Sequence, residues 1–421
     1  MNPRGLLLGA GALLLCGNQA LADELHEGTS LADTIGISGS LRAGHWSSSM
    51  NFDQRKDLGA GALWLTAAPR LADNVSAKFD GWTMGDHNQS ASKHYNRVRE
   101  GYINLNAGNT DFRLGKQIVT WGRADKLNPT NNLTPRDYTL LAVEDEDQRS
   151  GGYAAKATYN FSDWSLTGIW LPQFRPNALP LPSLPGVNFR EHLEQRQGAA
   201  LKVEQTGNAV DWSLSYYSGP DLNPDIGIDS VGGSGVNLRL DHHRMRVLGA
   251  DAATVVGRYA LRAEAAYTST ADSDGTDPLL KNSMFHLVAG GDRTFFEYLN
   301  INLQYYARYV QQFIDPSTIG DVVTRSIATR EALLSNQYAR FQHGVTFRIS
   351  DKWMNETLEG EISGITSFTR RDYVLKPKLA YSFSDSWKGS LGANLFRGEQ
   401  NSYYGPLKNI SNVFTELKYG F

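Results

Sequence analysis

Apolar and polar side chains alternate along most of the chain. Within residues 298–310, Ile301, Leu303 and Tyr305 are apolar or aromatic, while Asn302 and Gln304 lie between them. A period of two is that of a β-strand with one apolar and one polar face. Such runs extend over about 10–13 residues, longer than the roughly 5–6 of an average soluble strand and long enough for a tilted strand to cross a bilayer. The pattern predicts membrane-spanning strands.

Eighteen segments show this alternation. They are residues 34–46, 58–69, 74–85, 95–107, 110–121, 152–161, 164–172, 198–206, 209–218, 243–255, 258–270, 283–294, 298–310, 337–349, 355–368, 372–383, 387–398 and 406–421. Ser-Asp pairs at 162–163, 350–351 and 384–385 are flanked by bulky residues and predict hairpin turns beside an aromatic girdle. Pro377 cannot donate to a β-ladder, so the strand that contains it is expected to start later or to carry a bulge.

Short and long connections alternate between these segments. Residues 107–110, 160–163, 206–208 and 384–386 are short, whereas 121–151, 172–197, 219–241 and 311–336 are long. In outer-membrane barrels the short turns face the periplasm and the long loops face outwards. The sequence therefore predicts an all-β fold, a transmembrane antiparallel β-barrel of about 18 strands with short periplasmic turns, long external loops and both termini in the periplasm.

Both ends of the chain support an exported barrel. Arg4 precedes an apolar run from Leu6 to Leu15, and Ala20 and Ala22 have the small side chains of a signal-peptidase site. The expected organisation is a signal peptide at 1–22, a short periplasmic segment at 23–33 and a barrel at 34–421 with an inward-folding loop at 121–151. This leaves no room for a plug domain, so transport is expected to be passive.

The last strand ends on an aromatic residue. Val413, Thr415, Leu417, Tyr419 and Phe421 share one face, and outer-membrane barrels that resemble this one usually stop on such a residue. Tyr419 and Phe421 are therefore predicted to form the signal that the barrel-assembly machinery recognises.

Composition excludes several classes of protein. The chain has 41 Lys and Arg against 44 Asp and Glu, a net charge of −3 and a mean hydropathy of −0.40. Beyond the N-terminus no run approaches the ~18–20 apolar residues of a spanning helix, which excludes a helical transporter. Without a basic field, nucleic acid is not an expected partner. The only cysteine, Cys16, lies in the signal peptide, so no disulfide is expected in the mature chain.

Charged and amide side chains on the polar faces are expected to line the lumen. This set comprises Glu100, Arg262, Glu264, Arg308, Arg340, Glu359 and Glu361, together with Lys78, Asp80, Lys202, Glu204, Gln304 and Gln342. Both signs are interspersed. Such charges either pair across strands or contact a passing solute, and the sequence leaves both interpretations open.

The connection at 121–151 has the most unusual composition. Pro129 and Pro135 stiffen it and its Asn, Thr and Asp residues can bond free backbone groups, so it is expected to fold inwards and narrow the pore. The predicted constriction comprises Arg113, Gln117, Arg123, Asp125, Arg136, Asp137, Glu144, Asp147 and Arg149. Alternatively, the arginines at 123, 136 and 149 pair with the acids at 144–147. These acids lack the spacing of a calcium loop, so neither a metal nor a cofactor is predicted.

The same stretch carries a resemblance to known proteins. Gly115-Lys116-Gln117, Trp121-Gly122-Arg123-Ala124-Asp125, Asn128-Pro129-Thr130 and Thr134-Pro135-Arg136-Asp137-Tyr138 precede an acidic cluster that ends at Arg149. This succession resembles a family of largely uncharacterised proteobacterial outer-membrane β-barrel proteins that are grouped with porins. The resemblance is close only in this stretch, and it implies a porin-like barrel without naming a substrate.

The next loop, 172–197, contains five prolines with Leu and Phe side chains. It is expected to form either a lid or landing patch for a hydrophobic solute, or a loop packed over its neighbours. Enzymatic activity is not predicted, since the chain has no Gly-x-Ser-x-Gly motif and no histidine in a metal-ligand motif. His242 and His243 beside Asp241 are the nearest approach to a hydrolytic site.

These features predict a porin-like channel in the outer membrane of a Gram-negative bacterium. It would let a small polar or amphipathic solute diffuse passively and would contact outer-membrane lipid and lipopolysaccharide. One alternative is an exporter of a secreted polysaccharide, for which a continuous basic track would be expected. The other is a surface-interaction protein whose barrel only anchors its loops.

Overall fold

A computed structural model describes residues 35–48, 57–87, 92–181, 185–193, 197–207, 209–232 and 235–421. The predicted signal peptide at 1–22 and the segment at 23–33 lie outside the described residues. The strand pairing, burial and contacts below refer to the described ranges.

Eighteen antiparallel strands close into a barrel. Their bounds are β1 Ile37–Ser48, β2 Asp57–Ala67, β3 Val75–His87, β4 Ser92–Ala107, β5 Thr110–Gln117, β6 Gly152–Phe161, β7 Trp164–Gln173, β8 Gly198–Gln205, β9 Val210–Pro220, β10 Arg244–Val256, β11 Tyr259–Ser269, β12 Met284–Phe295, β13 Leu299–Val310, β14 Phe341–Trp353, β15 Leu358–Ser367, β16 Asp372–Ser382, β17 Trp387–Arg397 and β18 Asn412–Gly420. Each pairs with the next, and β18 pairs with β1 from Ser40↔Gly420 to Ser48↔Asn412. The predicted fold class and strand number are confirmed.

The two faces of the strands follow the alternation in the sequence. On β13, Leu303 is 55% exposed and points outwards, whereas its neighbour Gln304 is 0% exposed and points inwards. Closure gives every barrel strand a paired neighbour on both sides, so the apolar outer surface can meet lipid without an open edge. No helix among the described residues is long and apolar enough to span a bilayer.

Several local expectations are wrong. The fifth strand ends at Gln117 rather than 121, and the last begins at Asn412, after a 3-10 helix at Pro406–Ile410. Pro377 lies inside β16 without a bulge: the register to β17 passes from Leu375↔Leu395 to Lys378↔Gly392 without a shift, and no pair forms between them. The missing pairs accommodate a residue that has no N–H to donate.

Two of the three Ser-Asp turns are confirmed. Residues 162–163 and 384–385 lie in short connections, and the Phe161 and Trp164 rings stack beside the first with centroids 6.4 Å apart. Residues 350–351 instead belong to β14, and the turn follows at Met354, Asn355 and Glu356, all of which have positive φ.

The long loops build a layer beyond the barrel. Strands Val187–His192, Asp225–Gly232 and Gly235–Asp241 form a separate sheet, and helix α1, Val322–Leu334, packs beside it. Ile327 of α1 joins Ile226, Leu238 and Leu240 of this sheet in a buried apolar cluster. The sequence predicted only loops here.

Candidate functional site

Residues 118–151 connect β5 to β6 and are called the β5–β6 segment below. Its first part is held by apolar packing: Val119, Trp121 and Leu133 join a buried cluster that includes Ala154 of β6 and Ile169 of β7. The Thr134 hydroxyl accepts from the Val119 N–H at 2.8 Å and donates to the Val119 carbonyl at 2.7 Å. The segment is thereby turned back against the inner face of the barrel.

The carboxylate of Glu264, on β11, is the main polar anchor of the segment. One oxygen accepts from the backbone N–H groups of Arg123 at 3.0 Å and Ala124 at 3.1 Å. The other accepts from the N–H and hydroxyl of Thr130 at 2.7 and 2.9 Å. Glu264 is 1% exposed. A buried carboxylate needs such donors, because an unpaired one would be strongly destabilising.

Gly122 allows the backbone to approach this carboxylate. Its φ is +87°, and a Cβ built there would lie 2.3 Å from Glu264 Oε2 and 2.3 Å from Asn128 Oδ1. Any side chain would therefore both strain the backbone and collide with the anchor. This gives a physical reason for the Trp-Gly pair in the motif.

Side-chain ion pairs extend the contact along the same wall. The Arg123 guanidinium donates to Asp251 of β10 and Glu204 of β8, each at 2.7 Å. Asp125 accepts from Arg262 of β11 at 3.0 Å. Arg262 also pairs with Asp292, on β12. One end of the segment is thus tied to the inner face of β8–β13.

The acidic end of the segment contacts different strands. Residues Asp145–Gln148 form a 3-10 helix. Glu144 pairs with Lys378 at 2.8 Å, Asp145 with Lys376 at 2.5 Å, and Asp147 with Arg42 of β1 at 2.7 Å. Both lysines lie on β16. The segment therefore has ion pairs to two separate parts of the barrel wall.

The ion pairs shift the pKa of one carboxyl in this segment. Burial alone would raise the pKa of Asp145, but the charges of Lys376 and Lys126 outweigh it and lower the value from 3.8 to about 2. Asp145 is therefore ionised over the whole physiological pH range.

Pairing within the segment is limited. Arg149 pairs with Glu146, and Arg136 lies 4.0 Å from the same carboxylate. Asp137 pairs instead with Arg97 of β4 at 2.5 Å. The alternative in which the arginines neutralise the acids at 144–147 thus holds only at Glu146.

Two residues of the predicted constriction do not contact the segment through their side chains. Arg113 donates to Asn104 Oδ1 at 2.8 Å, and its guanidinium lies 4.2 Å from the centroid of the Tyr102 ring. The Gln117 amide donates to the Ala154 carbonyl at 2.9 Å. The other seven lie in the segment itself but not in one place: Arg123 and Asp125 contact β8, β10 and β11, whereas Glu144 and Asp147 contact β16 and β1. The remaining three are Arg136, Asp137 and Arg149.

The remaining predicted lumen residues are spread around the barrel. Glu100 binds Lys78 at 2.6 Å and accepts from the Ile118 N–H at 2.9 Å. Glu359 pairs with Lys388 at 3.2 Å, and the neighbouring inward position Glu361 is opposite Lys378 in the strand register.

Arg308 and Arg340 lie towards the long-loop end of the barrel. The Arg308 guanidinium donates to the Asn336 carbonyl, and the exposed Arg340 side chain donates to the Phe313 carbonyl at 3.4 Å. Arg340 precedes β14 rather than lying within it.

Sequence reasoning missed Arg42, Asp251, Lys376 and Lys378 as partners of the segment. All four occupy inward positions of strands, but none was among the predicted lumen residues, and alternation alone could not have identified their partners. Arg123 and Asp251 are separated by 128 residues, and Asp145 and Lys376 by 231.

No protein-family model and no curated protein sequence matches this chain. Solved structures do match it. Pseudomonas aeruginosa OccK7 (OpdD) has a TM-score of 0.54 at 11% identity, covering 91% of this chain and 98% of that one. Acinetobacter baumannii OccAB3 has 0.54 at 9%, with 91% and 98% covered, and Pseudomonas aeruginosa OccK5 (OpdH) has 0.53 at 10%, with 91% and 96% covered. The shared feature is the fold, a closed transmembrane antiparallel barrel of 18 strands as in outer-membrane porins.

Proposed function

We propose that this protein is an outer-membrane channel in which the β5–β6 segment forms the constriction. The observation that carries the proposal is the set of contacts to separate parts of the wall, with Arg123 bound to β8 and β10 and Asp145 bound to β16. A segment tied at both places narrows the lumen while the polar side chains around it leave a path for a hydrated solute.

The proposed solute is small and polar or amphipathic, and it diffuses passively. Opposite charges lie next to one another along the segment, as in Asp125, Arg262 and Asp292. Opposite charges within the Debye length of about 8–10 Å cancel much of the far field while leaving local hydrogen-bonding groups for a solute. This arrangement supports a small-solute channel over an exporter of an acidic polymer, which would need an uninterrupted basic track.

The proposed setting is the outer membrane of a Gram-negative bacterium, with both termini in the periplasm and with lipid and lipopolysaccharide around the barrel. The apolar outer face fits a lipid surround. Tyr419 and Phe421 remain the proposed recognition signal for the barrel-assembly machinery. Tyr419 packs on Trp387 with ring centroids 4.9 Å apart, and the exposed Phe421 is bonded through its backbone to Gly39.

Single-channel recording in planar bilayers tests the constriction. Deletion of residues 128–138 removes Thr130 and Asp137 and with them contacts to Glu264 and Arg97. We expect a several-fold higher conductance than in the parent. Deletion of the whole of helix α1, residues 322–334, serves as the control, because α1 packs on the separate sheet beyond the barrel, and it should leave the conductance near the parental value.

Three results would contradict parts of the proposal. Equal conductance in the parent and in the 128–138 deletion would show that the β5–β6 segment does not form the constriction. Strong anion selectivity would favour polymer export, and no conductance in a correctly folded barrel would favour the surface-interaction alternative.

A further inference from the structure

A cavity of about 530 Å³ lies between the β5–β6 segment and the inner face of β1–β4. Trp46, Leu58, Trp82 and Met84 line it from the wall, and Leu140 and Leu141 line it from the segment. A recess of about 40 Å³, lined by several of the same side chains, continues it towards Arg42. The volume is in the range of small-molecule binding sites, about 300–1,000 Å³.

Apolar side chains at these inward positions are an exception to the polar lumen. On β11 and β13 the corresponding positions hold Arg262, Glu264, Asn302 and Gln304. If the apolar positions served only to pack the segment, interdigitated side chains would be expected to fill the space. The open volume shows that the segment does not cover this wall completely.

Two indole groups at this wall lack acceptors. The Nε1 atoms of Trp46 and Trp82 are buried, and neither has a hydrogen-bond partner among the residues that the structure describes. The two side chains belong to residues that are only 5% and 7% exposed. Buried indole N–H groups usually find an acceptor. Because the two Nε1 atoms are closed off from the cavity, a solute there would contact the carbon atoms of the indole rings rather than their N–H groups.

Two of the three basic side chains that line the cavity, Arg97 and Lys376, are paired with acids. Arg97 binds Asp137 at 2.5 Å, with its guanidinium 5.6 Å from the centroid of the Trp82 ring, and Lys376 binds Asp145 at 2.5 Å. An ionic solute would have to compete with these pairs. The cavity is therefore better suited to an uncharged molecule than to a carboxylate or an amine.

The proline-rich loop contributes an apolar cover. Leu179, Pro180 and Leu181 line the cavity. Backbone bonds of 2.9 Å from Tyr138 N to the Ala178 carbonyl and from Ala178 N to the Arg136 carbonyl join this loop to the β5–β6 segment. If this loop is a landing patch for a hydrophobic group, these contacts place the patch at the cavity.

We propose that this cavity binds an uncharged amphipathic solute with an aromatic or similarly compact apolar body. The proposal rests on the channel function and specifies the class of solute for it. The apolar body would lie against the indole rings of Trp46 and Trp82 and the side chain of Met84.

Two glucosides with the same head group test the proposal. Phenyl β-glucoside carries an aromatic body and methyl β-glucoside does not. Binding of each is measured by titration calorimetry on the full-length mature protein in lipid nanodiscs, with empty nanodiscs as the blank. Burial of the phenyl ring predicts binding of phenyl β-glucoside at least about tenfold tighter than that of methyl β-glucoside.

Three variants locate the binding. Met84→Gln and Leu141→Gln place an amide in the cavity from the wall and from the segment, and each is expected to weaken phenyl β-glucoside binding. Leu127→Gln makes the same change in the segment away from the cavity and should bind like the parent. Heat-dependent mobility in SDS gels verifies that each variant is folded.

Ion conductance is recorded from the same preparations, so the two proposals can fail separately. Equal affinity for both glucosides, or unchanged affinity in both cavity variants, would overturn the cavity assignment even in a conducting channel. Tighter binding of phenyl β-glucoside that is lost in the two cavity variants and retained in Leu127→Gln would establish it, whether or not the barrel conducts.

Discussion

Glu264 and Thr130 are joined by two hydrogen bonds: one carboxylate oxygen of Glu264 accepts from both the backbone N–H and the hydroxyl of Thr130, at 2.7 and 2.9 Å. The residues are 134 positions apart in the chain. The other oxygen binds two further N–H groups of the segment. One side chain of the barrel wall therefore accepts hydrogen bonds from three backbone N–H groups that lie outside any strand.

Replacement of this carboxylate should loosen the constriction. Glu264→Ala leaves the N–H groups of Arg123, Ala124 and Thr130 without their acceptor, so we expect higher and noisier single-channel conductance than in the parent. Glu361→Ala removes an inward acid of β15 without a hydrogen bond to the segment and serves as the matched control. Indistinguishable traces from both variants would show that the Glu264 anchor does not shape the pore.

Gly122→Ala tests the same anchor from the other side. Positive φ costs a residue with a Cβ about 1–2 kcal/mol, and at Gly122 the new Cβ would also collide with Glu264. Gly257 has φ +61° with open space around it, so Gly257→Ala carries the backbone strain alone. We expect only Gly122→Ala to raise the conductance, and a similar rise in both variants would attribute the effect to general destabilisation.

The pKa of Asp145 predicts how the acidic end responds to pH. Since its pKa in the folded protein, about 2, is below the ordinary 3.8, the stabilisation from its ion pairs is present above 3.8 and is lost as the pH falls through about 2. As far as the conductance depends on the contact of Asp145 with Lys376, we expect it to be constant from neutral pH to about pH 4 and to change only at lower pH.

Asp145→Asn removes the charge that binds Lys376. We therefore expect this variant to show, at neutral pH, the change in conductance that the parent shows only below about pH 4. Asp163→Asn, at an exposed short turn, controls for the loss of one carboxylate. Parental conductance in Asp145→Asn at neutral pH would mean that the contact with Lys376 does not hold the segment.

Barrel closure should make the protein resistant to SDS. With β18 paired to β1, every described barrel strand has a neighbour on both sides and none offers an open edge to detergent, so we expect faster gel migration before heating than after it. Circular dichroism of the unheated sample should be that of β-structure. Identical mobility with and without heating, together with a helical spectrum, would be incompatible with this fold.

Ion selectivity should be weak. Basic and acidic side chains alternate around the segment, so reversal potentials under a salt gradient are expected to remain near zero. Changing both Lys376 and Lys378 to Gln leaves Glu144 and Asp145 without their strand partners and should shift selectivity towards cations. Lys352→Gln, at the opposite, short-turn end of the barrel, is the control. An equal shift in this variant would show that the ion pairs of the segment do not set the selectivity.

The sequence by itself determined the barrel. Alternation is a local property, and a bilayer imposes it on every strand because the outer face must be apolar and all backbone groups must be paired. Leu303 and Gln304 could therefore be assigned to opposite faces without any knowledge of their neighbours. The composition of residues 121–151 was equally visible, since clustered proline, asparagine and charged residues are typical of turns and loops rather than of strands.

Only the tertiary structure decided which charges meet. Arg123 could have paired with the acids at 144–147, but closure of the barrel brings Asp251 and Glu204 to it instead. The path of β16 through Pro377 and the packing of α1 on the external sheet also depend on contacts between distant segments. Strand register and barrel curvature set these distances, and a one-dimensional pattern of polar positions specifies neither.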